Sequence, residues 1–186
     1  YIDLFYLQRF SANRQLEKMW RRKLIILPSW LLIPIVKANR FINIFVPGGN
    51  YHEIKEIGKD IIRDIQNVIE RFQAHISFTK EEELKGKRIL KDMGIPENAK
   101  FVCLNVRDSG YLDRHEKSKL KRWRVHDYRD ADIDKYVLAA EELVRRGYYV
   151  IRTGVNVLKP LKSPNPQIID YANLEIRSDF MDVYLA

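Results

Sequence analysis

The sequence predicts an α/β protein built on a parallel sheet, and three features of its second half carry that prediction. Phe101 to Val106 is almost continuously apolar, the signature of a strand buried on both faces. Asp132 to Arg146 places Ile133, Tyr136, Val137, Ala140, Leu143 and Val144 at helical spacing, as in a helix lying on a sheet. Two further strand-like runs follow, Tyr148 to Arg152 and Gln167 to Tyr171, and Ser178-Asp179 then caps a helix starting at Phe180. Alternating β and α units imply parallel strands joined by right-handed crossovers.

The elements before this point read in order. Asn13 to Leu24 carries a helical pattern, with Leu16, Met19, Trp20 and Leu24 on one side and Arg/Lys on the other. An apolar run from Leu24 to Val36 contains Pro28 and Pro34. It is shorter than the roughly 20 apolar residues needed to span a bilayer. Asn39 to Val46 reads as a strand, closed by the turn Pro47-Gly48-Gly49-Asn50, and Asp60 to Phe72 as an amphipathic helix. Thr79 and Glu82 form a capping box that starts a helix at Lys80. Gly94 and Pro96 stop that helix near Met93.

These elements divide the chain into the C-terminal part of an upstream α/β domain (1–76), a linking helix and connector (77–99), and the first half of a second sheet domain (100–186). The sequence opens on Tyr1 and ends at Ala186, and we read it as a segment of something longer. Its single cysteine, Cys103, lies in an apolar strand, which fits a buried, inert thiol in a reducing, cytoplasmic compartment.

The formal charge is +8. Residues 1–50 hold eight Lys/Arg against two Asp/Glu, so +6 resides there. Such a surface attracts nucleic acid, anionic lipid or phosphorylated ligands, and charge alone does not choose among them. The histidines at 52, 75, 115 and 126 have no metal-ligand spacing, and neither a Walker-type phosphate loop nor GxGxxG follows any strand.

Ligands of open parallel sheets bind beyond the carboxyl ends of the strands. Here those ends read Arg107-Asp108-Ser109-Gly110, then Arg152-Thr153-Gly154, then Arg177-Ser178-Asp179 ahead of the last helix. Three arginines at one edge suit a pyrophosphate, because the guanidinium fork donates paired hydrogen bonds and stays charged. The alternative for each is that it marks a strand end and pairs with a nearby carboxylate, a reading that weighs least against Arg107, where Asp108, Ser109 and Gly110 make a tight polar turn at the expected ligand edge. The connection from Asp108 to Asp130 is long for a βα loop. From Arg114 to Arg129 it holds seven Lys/Arg with Trp123, His126 and Tyr128. A basic loop with interleaved aromatics is equipped to clamp a nucleotide, to touch nucleic acid, or simply to stay solvated.

Several stretches resemble a family of bacterial glycosyltransferases: Ser77 to Glu82, Met93-Gly94-Ile95-Pro96, Phe101 to Leu112, Tyr128 to Ile133, Arg152-Thr153-Gly154, and Ile176 to Asp182. The resemblance covers nearly everything from residue 77 onward. It implies a fragment of a two-domain GT-B-like architecture, with Rossmann-like parallel sheets flanked by helices and a nucleotide-sugar donor held mainly by the C-terminal domain. It also implies surface-polysaccharide biosynthesis, with a glycan or lipid-linked acceptor; the basic Arg14 to Lys23 helix is, on its charge, a candidate for peripheral contact with the inner face of the membrane. On this reading Arg107, Ser109, Gly110, Arg129, Arg152, Gly154, Arg177, Ser178 and Asp179 contact the donor, and Asp108 or His126 is a general base if the reaction inverts. No bound metal or other cofactor is expected, since basic side chains and helix dipoles would neutralise the departing diphosphate. Two readings of other classes stand beside it: a basic nucleic-acid-binding module, and a non-catalytic α/β scaffold.

Overall fold

The computed structural model describes residues 3–7, 11–42, 45, 68–115 and 124–186; for 68, 69, 112, 115 and 124–126 only the backbone is described. The chain divides into two units, Tyr1–Phe78 and Thr79–Ala186. The helix expected to link two domains therefore groups with the second unit.

In the first unit, β1 (Leu4–Tyr6) pairs in parallel with β2 (Ile25–Leu27), and α1 (Arg14–Arg21) is the crossover between them. The Asn13 side chain caps α1 by accepting from the Leu16 N–H at 2.9 Å, and Met19 is the buried contact of its apolar side. The apolar run beyond it splits at Pro28. Its first part is β2, and its second is α2 (Ser29–Ile42), whose opening amides donate to the Pro28 carbonyl.

This corrects the strand expected over Asn39 to Val46, because Asn39–Ile42 are the last residues of α2. Short apolar runs do not distinguish strand from helix by periodicity alone. Once α2 is nucleated at Ser29 it continues through Pro34. The turn expected at Pro47–Asn50 lies outside the described residues. Of the helix expected over Asp60 to Phe72, Val68–Arg71 is described and forms the short helix α3.

The second unit opens with α4 (Lys80–Asp92). Its capping box is present in both directions: the Thr79 N–H donates to Glu82 at 3.0 Å, and the Glu82 N–H donates to the Thr79 hydroxyl at 3.3 Å. A three-stranded parallel sheet follows in the order β3 (Phe101–Asn105), β4 (Tyr149–Thr153), β5 (Ile168–Ile169). Between β3 and β4 lie α5 (Gly110–His115), a 3₁₀ turn (Arg124–Arg129), a second 3₁₀ turn (Ile133–Tyr136) and α6 (Val137–Arg145). The helix expected from Asp132 thus begins as 3₁₀ and becomes α-helical only at Val137. Gly147, at φ +87°, closes α6 in the left-handed conformation that glycine adopts without penalty. The last helix, α7 (Asp179–Tyr184), is capped by the Ser178 hydroxyl, which accepts from the Met181 N–H.

Successive residues of a strand point to opposite faces, and β4 shows both sides filled. Val150 joins Val106, Ile133, Ala140, Leu161 and Ile168 in a core that Val137, Leu143 and Val144 of α6 flank. Ile151 is also fully buried, and its register neighbour Cys103 donates its thiol to the carbonyl of Leu185, just past α7. The Tyr184 ring of α7 lies against Gly86 of α4. Lys85 sits over the Phe180 ring at 4.7 Å, and Phe180 stacks on Tyr184. Burial pushes the Cys103 thiol up from its ordinary pKa, which suits the unreactive role expected of it. β3 is only half-buried rather than sealed on both faces. β5 is two residues long, and Asp170, directly after it, binds both Arg152 and the loop that precedes the strand.

Candidate functional site: the carboxyl edge of the sheet

One guanidinium ties the ends of all three strands. Arg152, at the end of β4, has no exposed surface. Its Nη1 donates to Asp170 Oδ1 at 3.1 Å and to the Lys159 carbonyl at 3.0 Å, and its Nη2 lies 3.6 Å from Asp108 Oδ2. Asp108 follows β3 and Asp170 follows β5, so each strand supplies one charged member. Both carboxylates also accept from backbone amides, and Asp170 from one side chain as well. Asp108 accepts from the Gly110 N–H at 2.9 Å and the Leu158 N–H at 3.0 Å. Asp170 accepts from the Leu161 N–H at 2.9 Å and from the Asn173 amide at 2.6 Å.

The loop between β4 and β5 is thereby laced to the sheet edge at Leu158, Lys159 and Leu161. Lys159 adds an exposed clasp, its ammonium held by Asp134 and by Asp132 at 3.2 Å. These carboxylates, Asp134 foremost, raise its pKa. Asn156 turns the loop at φ +54° and accepts from Arg114 at 3.0 Å; asparagine tolerates this conformation better than most residues.

Arg107 stands beside this knot. Its Nε lies 3.2 Å from Asp130, its carbonyl accepts from the Ala131 N–H at 2.9 Å, and a third of its side chain is exposed. Arg129, in the adjoining 3₁₀ turn, is exposed. On the other side of the edge, Arg177 donates to the Gly154 carbonyl at 3.3 Å and to Asp182 at 2.6 Å. Ser109 donates to Asp113 at 2.7 Å.

Beneath Arg177 sits Tyr171, fully buried, whose hydroxyl accepts from the Ser178 N–H at 3.0 Å and lies 3.0 Å from Asp182 Oδ1. Burial, reinforced by the Asp182 charge, pushes its pKa well above the ordinary tyrosine value. A raised folded-state value stabilises the fold below the unfolded pKa of about 10, and that contribution disappears as pH climbs beyond it. The native protein is therefore expected to lose stability progressively from about pH 9 upward, until the pH passes the raised folded-state value. Tyr171→Phe should flatten that slope while costing about 1–3 kcal/mol at neutral pH through the unpaired Ser178 amide. Urea midpoints across the range test this; an unchanged slope in the variant would assign the alkaline loss to another group.

The sequence-predicted residues therefore fall into three sets. Arg107 and Arg129 retain exposed surface beside the sheet edge. Asp108, Arg152, Gly110 and Gly154 are parts of the scaffold. Arg152 has no surface to offer a ligand, and Asp108 accepts a backbone hydrogen bond on each oxygen, which makes it an anchor for the loop. A Cβ on Gly110 would lie 2.1 Å from the Asn156 carbonyl oxygen, and one on Gly154, at φ +150°, would lie 2.8 Å from Val157. Arg177, Ser178 and Asp179 build the start of α7, with Arg177 a quarter exposed. Of His126 only the backbone is described, in the 3₁₀ turn Arg124–Arg129.

Asp170 and Tyr171 were not anticipated. An acidic residue directly after an apolar strand, matched by an arginine ending the neighbouring strand, is the signal that points to the first. For Tyr171, placed at the end of the predicted strand, the sequence carries no comparable mark.

The class this edge defines is a parallel α/β unit with a polar, internally braced carboxyl end. Comparison with protein-family models, curated proteins and solved structures finds no match for the chain.

Proposed function

We propose that the protein takes part in glycosyl transfer from a nucleotide-sugar donor, with residues 1–76 ending one domain of a GT-B-like pair and residues 100–186 forming the first half of the other. The observation that carries this reading is the position of two arginines just past β3: Arg107, a third exposed and paired with Asp130, and the exposed Arg129, beside a scaffold braced by its own ion pairs. A braced edge holds such cations without reorganisation, which is what electrostatic stabilisation of a departing diphosphate requires. In this reading Arg107 is the principal phosphate contact, Arg129 supports it, and Arg152 acts only by fixing the loop and strand ends around them. The acceptor would be a growing glycan or its lipid-linked carrier, reached on the cytoplasmic face of a membrane.

The test is a thermal-shift panel with UDP, GDP, CMP and their sugars, on the native protein and Arg107→Ala. One nucleotide class should stabilise the native protein; at about 100-fold excess over Kd the gain is about 2.7 kcal/mol. The variant should keep its unliganded melting temperature and lose the shift. No shift with any nucleotide, or an equal shift in the variant, would remove the donor assignment. Steeply salt-dependent binding to any DNA or RNA would replace it with the nucleic-acid reading.

A further inference from the structure

Helix α2 exposes an apolar stripe. Leu32 is buried and Val36 and Asn39 are half-buried, so these three residues at i, i+4 and i+7 mark its inward side. On the opposite side Trp30, Pro34, Lys37 and Phe41 recur at i, i+4, i+7 and i+11, with Trp30 75% and Phe41 65% exposed. Leu31 and Ile33 widen the stripe, and both are exposed. A soluble surface rarely shows two aromatic side chains this open along one helix face.

The charge of this stretch of the chain argues for the occupant of the face. From Lys18 to His52 the sequence holds six Lys/Arg and no Asp or Glu. A protein groove would have to be both apolar and acidic to match it. An anionic bilayer offers both properties at once: headgroups attract Lys and Arg at about 1 kcal/mol each, and tryptophan favours the membrane–water interface. At 14 residues α2 is about 21 Å long, and no helix among the described residues is long and apolar enough to cross a membrane. An exposed apolar helix face flanked by basic residues suits a position in the interface plane.

We propose that α2 is a membrane-docking helix that lies in the headgroup layer of an anionic bilayer. Trp30 and Phe41 enter the acyl boundary, while Lys37 reaches back to the phosphates along its apolar stem. The assignment deepens the membrane-face part of the functional reading by naming the element and the lipid charge. It does not depend on the donor assignment, since lipid binding and nucleotide binding are read separately.

The experiment is co-sedimentation of the full chain with phosphatidylcholine vesicles, with and without phosphatidylserine, accompanied by tryptophan fluorescence. Binding should require phosphatidylserine, weaken with salt, and shift the emission to the blue. Trp30→Gln with Phe41→Gln should weaken it at least about tenfold, the loss of two buried aromatic contacts. Both side chains are exposed, so far-UV dichroism of this variant should match the native protein. Lys37→Glu should also weaken binding but leave self-association unchanged. Absence of vesicle binding, or equal binding by the double aromatic variant, would overturn the proposal. Self-association abolished by that variant, without lipid binding, would reassign the face to a second copy of the chain.

Discussion

Arg152→Met is expected to cost the second unit about 3–5 kcal/mol, the range for removing one partner of a buried ion pair. The arginine has no exposed surface and serves Asp170, Asp108 and the Lys159 carbonyl. Removing it leaves two largely buried carboxylates with no cation, held only by backbone amides and, at Asp170, the Asn173 side chain. The cost should not be read as the net value of the network. Nε and Nη2 of Arg152 make no hydrogen bond, so the guanidinium is itself incompletely compensated for leaving water. Arg152→Met with Asp170→Asn should therefore recover part of the loss, because the second change removes the stranded charge. Urea unfolding of both single variants and the double closes the cycle. A loss below about 1 kcal/mol for Arg152→Met would show that the strand ends hold together without their shared cation.

The second large effect is steric. Gly110 opens α5 directly under the β4–β5 loop, and a Cβ there would meet the Asn156 carbonyl oxygen at 2.1 Å and the Leu158 nitrogen at 2.9 Å. Both are backbone atoms, so neither can swing aside as a side-chain tip would. Gly110→Ala should cost about 1–3 kcal/mol, the usual range for overpacking. The displacement also pushes the Leu158 amide away from Asp108, so the network above should loosen with it. The expected signature is non-additivity: Gly110→Ala should cost less in the Arg152→Met background than in the native protein. Additive losses would mean that α5 absorbs the methyl group by moving as a body, leaving the loop in place.

Much of the second unit was legible in the sequence, and the reasons are physical. The Thr79/Glu82 capping box, the apolar run of β3 and the spacing of α6 are local patterns with local causes. The structure places each within a few residues of its expected bounds. The failures came where a distant partner decides. β5 was read as running to Tyr171, yet it stops at Ile169, and Asp170 directly after it pairs with Arg152, 18 residues away in sequence. In the first unit, the run around Pro34 carried no periodicity that separates helix from strand, and Asn39–Ile42 went to the helix.

The candidate site shows the same division. Arginines at strand ends were visible, but their fates were not: one is sealed inside, one braces α7, and one keeps a third of its surface for a visitor. Burial and partnership are properties of the folded chain, and residue type alone does not carry them.

The lacing of the β4–β5 loop has a consequence for how freely its sequence can change. The sheet grips this loop by main-chain atoms, the amides of Leu158 and Leu161 and the carbonyl of Lys159, which nearly every amino acid supplies alike. Side chains such as Val155 and the largely exposed Leu158 are bystanders to that grip. At Val155 and Leu158 the loop's course is thus separated from its chemistry: a new side chain can be tried there, at the mouth of the sheet, without losing the path that presents it. Proline at 158 or 161 is the exception, because it alone arrives without the hydrogen by which the loop is held.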